Sequence, residues 1–528
     1  MPAHPLKKYA RVGVQGPLSI ADTALPSHRP RNERAARIAG LLAVLLGTAA
    51  AWFYARAGLT LSHYDAKAHL VVARRVFDSL TPGWTQIGAV WLPLPHILNL
   101  LPVQIDACYR TGASAVALSV MSFGLMAYAC ARLTLDATGS RAAAFSGLAV
   151  VVLNPDVLYL QSTPMTESLL LGLSVLSIAL LSRWVDADAT GSRTPVGLAM
   201  AAACLTRYEA WPMTGAALLV AGLALWRRGL PFPTAIRRVA GLAAFPVAAG
   251  GAFLIQSRLT VGQWFVTGGF YVPDNADAGR TFKTIGSLWW ASHHLNGYGV
   301  LLCGVAGALA VLVAGLRHRS RASLLVVLAM VGAAALPWYA FFSGHPFRFR
   351  YMIPLVPALA VWAGIGVGLL RRYRLVAATL LVALTLVETR PFSLSSPMVV
   401  EAQLDREHAV GRRTVTEFLR RHRDGGLIMA SLGSLSHYVQ ELSWIGVNVR
   451  DVLHEGNGDL WTAALESPRS RVRWILIEEL AEGGDALAVR ARTHPAFLEG
   501  FTRLSEGGGV ALYGLTQPDA RQTATTAR

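Results

Sequence analysis

Apolar runs of membrane-spanning length recur along the first 390 residues, and they leave few folds open to the chain. A bilayer core takes roughly 20 apolar residues per helix. Applying that length predicts spans near 36–58, 113–132, 142–160, 168–184, 194–206, 211–226, 239–257, 297–316, 322–342, 352–370 and 375–389, about eleven in all. Lipid offers the backbone no hydrogen-bond partners, so these runs are expected as helices. Composition agrees, because 53% hydrophobic and 15% charged residues in 528 is too apolar for an ordinary soluble protein.

The net charge of +17 raises nucleic acid as a partner. That role needs basic residues gathered on one polar face with aromatics between them, whereas here they sit in short clusters between apolar runs. No nucleic-acid partner is expected. Cys108, Cys130, Cys204 and Cys303 show neither CxxC nor Cys/His ligand spacing, so no disulfide framework or zinc site follows. The stretch up to Arg37 carries Lys7, Lys8, Arg11, Arg29, Arg31 and Arg34 and leads into an apolar run without an Ala-x-Ala exit. Residues 1–35 are read as a cytoplasmic arm ahead of an uncleaved anchor.

With that arm inside, alternate connections should be basic. They are: Arg132 and Arg141; Arg183 and Arg193; Arg227, Arg228, Arg237 and Arg238; Arg317, Arg319 and Arg321; Arg371, Arg372 and Arg374. The proline-broken segment 88–105 is placed as a re-entrant or interfacial helix, since a full span there would reverse every later loop. The outer face then carries His63–Pro102, Asn154–Glu167, Arg207–Glu209, Arg258–Asn296 and Ser343–Arg350. The membrane part is expected over 36–390, with its catalytic first outer loop at 60–112. Residues 391–516 read as a small outer α/β domain, with strands at Leu427–Ser431, Val472–Glu478 and Val510–Leu515 and an amphipathic helix at Glu401–His422. The tail 517–528 is expected to be disordered.

Four outer features carry ionisable groups. The first is His63-Tyr64-Asp65-Ala66-Lys67-Ala68-His69, where an acidic residue leaves the bilayer at a cost that function would justify. The plainer reading is a solvated Asp65 paired with Lys67 or Arg74. In the second, Glu167 stands at a helix N-terminus, where either a site or an ordinary helix start accounts for it. The third, Arg207-Tyr208-Glu209, is a neutralising ion pair or a polar group facing a cavity. The fourth, His345-Pro346-Phe347-Arg348-Phe349-Arg350-Tyr351, places two arginines on the outer face against the positive-inside rule, and guanidinium suits bidentate phosphate binding. Snorkelling beside an aromatic belt is its plainer reading. Gly364-Ile365-Gly366-Val367-Gly368 reads as close helix packing, and His293-His294 with Asp274-Asn275-Ala276-Asp277 as a weak metal candidate. There is no P-loop, HExxH or Gly-x-Ser-x-Gly.

Asp65 just after the first span, a proline-bearing apolar segment, Glu167 in the next outer turn, Arg350-Tyr351 ahead of Pro354-x-x-Pro357 and a C-terminal soluble domain together resemble the GT-C class of membrane glycosyltransferases. Over about residues 36–390 the chain is most similar to bacterial relatives of protein O-mannosyltransferases and lipid A aminoarabinose transferases. The resemblance implies a polytopic α-helical bundle in a bacterial cytoplasmic membrane and a sugar donor on polyprenyl phosphate, used from the outer side. It implies Asp65 as general base or acceptor-orienting carboxylate, and Glu167 as a second acidic residue near the acceptor or a metal. Arg348 and Arg350, with Arg207, are expected on the lipid phosphate, and His63, Tyr64, His69, Glu209 and Tyr351 around the substrate. The class often carries an acidic pair where this chain has Asp65 alone, and Glu167 lacks an adjacent Asp, so a divalent metal stays an open option. Membrane lipids are expected partners, and sugar and acceptor stay unassigned. A transporter or flippase of a lipid-linked or small anionic substrate is the alternative, although the chain lacks the repeated halves common in transporters. A scaffold binding cell-wall polymer through its C-terminal domain is a third reading.

Overall fold

The computed structural model describes residues 29–266, 275, 277–481 and 483–516. The helices in order are α1 (Arg29–Arg56), α2 (Tyr64–Arg74), α3 (Leu94–Asn99), α4 (Asp106–Thr111), α5 (Ala113–Thr138), α6 (Arg141–Val152), α7 (Pro155–Leu160) and α8 (Glu167–Asp186). Next come α9 (Thr194–Cys204), α10 (Ala210–Arg227), α11 (Phe232–Val261), α12 (Thr281–Asn296) and α13 (Tyr298–Arg317). A 3-10 stretch, Arg319–Ala334, runs into α14 (Ala335–Phe342), and α15 (Leu355–Leu369) and α16 (Arg374–Thr389) close the bundle.

Among the described residues seven helices are long and apolar enough to cross a membrane: Asn32–Arg56, Ala113–Thr138, Glu167–Asp186, Phe232–Val261, Tyr298–Arg317, Arg319–Phe342 and Phe349–Leu369. The remaining expected stretches are held by α6, α9, α10 and α16, of 12, 11, 18 and 16 residues. The span expected at 142–160 ends early. Asn154 accepts the N–H groups of Asp156 and Val157 at 3.1 Å and Pro155 takes the first helical position, so α7 starts as a separate helix. The arm expected over 1–35 is already helical from Arg29, and its earlier part lies outside the described residues, as does the 517–528 tail. The segment 88–105 contains only the short helix α3 and a 3-10 turn at Pro102–Gln104, in keeping with its prolines.

Helices meet closely where glycine permits. A Cβ on Gly364 would lie 3.1 Å from the Gly147 Cα, and one on Gly366 would lie 2.9 Å from the Gly307 Cα, so α15 docks against α6 and α13 with no room for a side chain.

The two ends of the bundle differ chemically. At one end Arg132 pairs with Glu33 and Asp136, and Arg228 with Asp186 and Asp188. At the other lie α2, α7, the start of α8 and the turn before α15, beneath the C-terminal domain. That domain contains α17 (Pro397–Glu401), α18 (Arg406–His422), β1 (Ile428–Met429), α19 (Leu432–Leu442), β2 (Val452–Leu453), α20 (Asp459–Glu466), β3 (Trp474–Glu478), α21 (Ala486–Thr493), β4 (Phe501–Gly507) and β5 (Val510–Leu515). Its sheet has the order β2-β1-β3-β5-β4, with β1 parallel to β2 and β3, and β5 antiparallel to β3 and β4. The expected Glu401–His422 helix is two: α17 ends at Glu401 and α18 begins at Arg406. Leu70, Val71 and Ala73 of α2 share one core with Val415, Leu435, Tyr438 and Val439, so the domain and the first loop fold as a unit.

Candidate active site

The site is built on the N-terminus of α2. His63 caps this helix in extended conformation (φ −72°, ψ 130°), its Nδ1 accepting the Asp65 N–H at 3.1 Å. This cap places Asp65 in the first turn, where the helix dipole favours an anion. Tyr64 stacks on His63 at 4.7 Å and keeps one face in solvent, being 36% exposed.

Facing Asp65 is the 3-10 turn Phe349–Met352, whose Arg350 donates to the Asp65 carboxylate from a buried position. Burial works to raise the Asp65 pKa, but the Arg350 guanidinium, the largest opposing influence, holds the carboxyl below the usual range. The plainer reading of Asp65 is thereby corrected: Lys67 reaches Glu441 at 2.6 Å, and Arg74 binds Asp78 and Asp106 at 2.8 and 2.7 Å.

A second cluster adjoins the first through Tyr351. The Arg350 and Arg207 guanidinium carbons lie 5.4 and 6.0 Å from its ring centroid. Arg207 donates from Nη2 to Glu209 Oε1 at 2.7 Å and from Nη1 to Thr166 Oγ1 at 3.1 Å. The same Nη1 lies 2.9 Å from Glu167 Oε1, an ion contact out of hydrogen-bond alignment. Burial opposes the Arg207 charge, and Glu167 and Glu209 together more than restore it, raising its pKa. Glu209 thus serves as counter-charge to Arg207, and Glu167 has a guanidinium as its cation.

His69, one turn after Asp65, approaches His96 Nε2 with its Nδ1 at 3.0 Å and lies 4.3 Å from the Trp91 ring. Burial, then His96, push its pKa well below the ordinary histidine value, leaving a neutral ring at the wall of a cavity of ≈ 20 Å³ shared with Asn99, Ser119 and Thr166. A space of that size accommodates about one water. Arg348 is half-buried, one residue from Phe349, and its charge acts on Glu401.

The sequence reading missed Glu401. Its Oε2 accepts the Phe349 N–H at 3.3 Å and its Oε1 stands 3.8 Å from His63 Nε2, so it contacts both the cap of α2 and the arginine turn. Burial raises its pKa, and the Arg350 and Arg348 charges help hold it below the ordinary carboxylate value. A signal was present: Ser396-Pro397 marks a helix start and would have separated Glu401 from the helix that follows. The metal candidates of the long outer loop lie partly within the described residues. His293 stacks on Tyr298 at 4.1 Å, His294 lies 4.2 Å from the Trp290 ring and 6.4 Å from that of Phe349, and Asp274 and Ala276 lie outside the described residues. Among the described residues no group of three or more His, Cys, Asp or Glu could hold a metal ion.

The fold is shared with solved structures. ArnT from Cupriavidus metallidurans bound to undecaprenyl phosphate aligns with a TM-score of 0.55 at 13% identity, covering 90% of this chain and 99% of that one. The same protein in the apo state aligns with a TM-score of 0.53 at 14% identity and the same coverage. No family model matches the chain, and no curated protein matches it. The chain thus shares with ArnT a fold in which a polytopic helical bundle is followed by a C-terminal α/β domain.

Proposed function

We propose that this GT-C-like chain is a membrane glycosyltransferase that takes a sugar from a polyprenyl-phosphate donor and passes it to an acceptor hydroxyl outside the bacterial cytoplasmic membrane. The observation that carries the reading is the buried Asp65–Arg350 pair, with Arg207 also against the Tyr351 ring. What the solved ArnT complex adds is that a chain of this fold binds undecaprenyl phosphate.

The chemistry asks for a base on one side and positive charge on the other. The acceptor oxygen attacks the anomeric carbon, its proton passes to Asp65, and the bond from that carbon to the phosphate oxygen breaks. Polyprenyl phosphate leaves with the electron pair, its charge met by Arg350 with Arg348 and Arg207 behind it. One displacement inverts the anomeric centre. In the resting pair Asp65 is a weak base because Arg350 holds it ionised. A phosphate that draws the guanidinium toward itself raises the basicity of Asp65 when donor is bound. Burial of the pair limits water, which would otherwise hydrolyse the donor.

Membranes supplied with labelled undecaprenyl-phosphate sugars test this reading. Transfer or slow hydrolysis by the wild type, abolished in Asp65→Asn and weakened in Arg350→Ala, is expected. Undiminished turnover in Asp65→Asn removes the proposed base. Uptake of the lipid-linked sugar without a new glycosidic bond would instead make the chain a transporter.

A further inference from the structure

Two buried polar atoms beside the Asp65–Arg350 pair face each other without bonding. His63 Nε2 and Glu401 Oε1 are 3.8 Å apart, beyond hydrogen-bond reach, and neither has a hydrogen-bond partner among the described residues. The His63 side chain is 1% exposed and that of Glu401 12%. Buried polar atoms are seldom left in this condition, because each forfeits its interaction with water.

Their donor and acceptor roles are fixed by what surrounds them. His63 Nδ1 accepts the Asp65 N–H, so it bears no proton, and a neutral ring then carries its hydrogen on Nε2. Glu401 is an acceptor, with its other oxygen already bound to the Phe349 N–H. Neither atom is open to solvent, so a ligand atom that both accepts and donates bridges them, at about 2.8 Å from each, once the two side chains part to admit it. A hydroxyl meets the requirement: its oxygen accepts from Nε2–H and its hydrogen points to Oε1. A phosphate is repelled by Glu401, and an ammonium offers nothing to the Nε2–H.

We propose that His63 and Glu401 form a hydroxyl-binding subsite that takes a ring hydroxyl of the sugar carried on the lipid phosphate, an inference that rests on the donor reading given above. Location selects the sugar. His63 is two residues before Asp65, and Glu401 holds the peptide N–H immediately before Arg350. The subsite therefore joins the cap of α2 to the arginine turn, next to where a phosphate on Arg350 would present its glycosyl group. Glu401 contributes recognition of the sugar and makes no demand on the lipid.

Equilibrium binding to the full chain in nanodiscs separates the outcomes. The probes are bare undecaprenyl phosphate and a panel of undecaprenyl-phosphate hexoses and pentoses. His63→Asn keeps a helix-capping oxygen for the Asp65 N–H but loses Nε2, and Glu401→Gln keeps an acceptor for Phe349 but loses the charge. Each is expected to weaken the preferred glycosylated lipid about tenfold, as for a hydrogen bond involving a charged group, and bare lipid less than about twofold. The double variant should lose little more than either single one, because one hydroxyl serves both. Equal losses for bare and glycosylated lipid would mean that Glu401 only props the arginine turn, and would overturn the subsite. Unchanged binding in both variants, or a wild type that does not distinguish glycosylated from bare lipid, also overturns it while leaving the lipid-phosphate reading intact. A wild type that binds neither lipid defeats both.

Discussion

Arg350 donates to Asp65 across the gap between the turn before α15 and the first turn of α2, joining residues 285 positions apart in the chain. The proposed base and the proposed phosphate ligand neutralise each other at rest. Neither can then be judged alone, because removing one leaves the other buried without a partner.

This coupling predicts a signature for Asp65→Asn that differs from simple loss of a catalytic group. Transfer should fall about 10²–10⁴-fold, as for removal of a general base. Binding of bare undecaprenyl phosphate should tighten, because Arg350 no longer has to leave a carboxylate. The check is a thermal-shift titration, in which lipid stabilises Asp65→Asn more than wild type. Weaker stabilisation of the variant would mean that the pair is purely structural.

Arg207 holds Glu167 and Glu209, whose side chains are 1% and 3% exposed. Arg207→Ala strands both carboxylates, and breaking a buried pair costs about 3–5 kcal/mol. The apparent melting midpoint should drop sharply. Adding Glu167→Gln and Glu209→Gln should restore the midpoint. A midpoint unaffected by Arg207→Ala would show the cluster to be solvated.

The membrane part was legible in the sequence because its signal is local: apolar length places most of the helices, although it overran the break at Asn154-Pro155, where one helix has ended and another begins. The site was legible as residue types, since Asp65, Glu167, Arg207 and Arg350 each stand out as charges at a membrane boundary. Their pairing was not, because contacts across 285 and 40 positions leave no periodic trace. Glu441 stood in the part read as a soluble domain, where another carboxylate is unremarkable, and Glu401 was read only as the first residue of an amphipathic helix. In the C-terminal domain β4 was missed because it is an exposed edge strand without alternating apolar residues. Gly508 and Gly509, with φ of 57° and 84°, form its turn into β5, and Gly-Gly at that place was the available hairpin signal.

The C-terminal domain should hold α2 in place through charge. Glu441 takes Lys67 at 2.6 Å and Arg412 at 3.0 Å, and Arg412 also takes Asp405 at 2.8 Å. Arg412 is 1% exposed, so Glu441→Ala leaves two cations competing for Asp405 at a cost of about 3 kcal/mol. Hydrogen exchange should speed up in peptides from α2 and α19 before other regions change. Uniform protection in the variant would show that the shared apolar core alone positions α2.

Acid should destabilise the protein through its buried histidines. Burial, then the nearby Arg75, push His96 and His454 down to about 3. The unfolded chain takes up protons on these rings near pH 6.5 while the folded chain refuses them, so their stabilising contribution is complete above about 6.5 and is lost as pH falls toward 3. Each ring contributes up to about 1.4 kcal/mol per pH unit in that window. His454→Gln should therefore flatten the decline in melting midpoint between pH 6.5 and 5. Asp156 works in the opposite sense. Burial pushes its carboxyl up to about 7, so the folded state holds a proton that the unfolded state releases, and its contribution improves as pH falls from 7 toward 4. Asp156→Asn removes that compensation and should steepen the acid decline, even if it raises the midpoint at pH 8. Equal slopes in wild type and both variants would place the titration elsewhere in the chain.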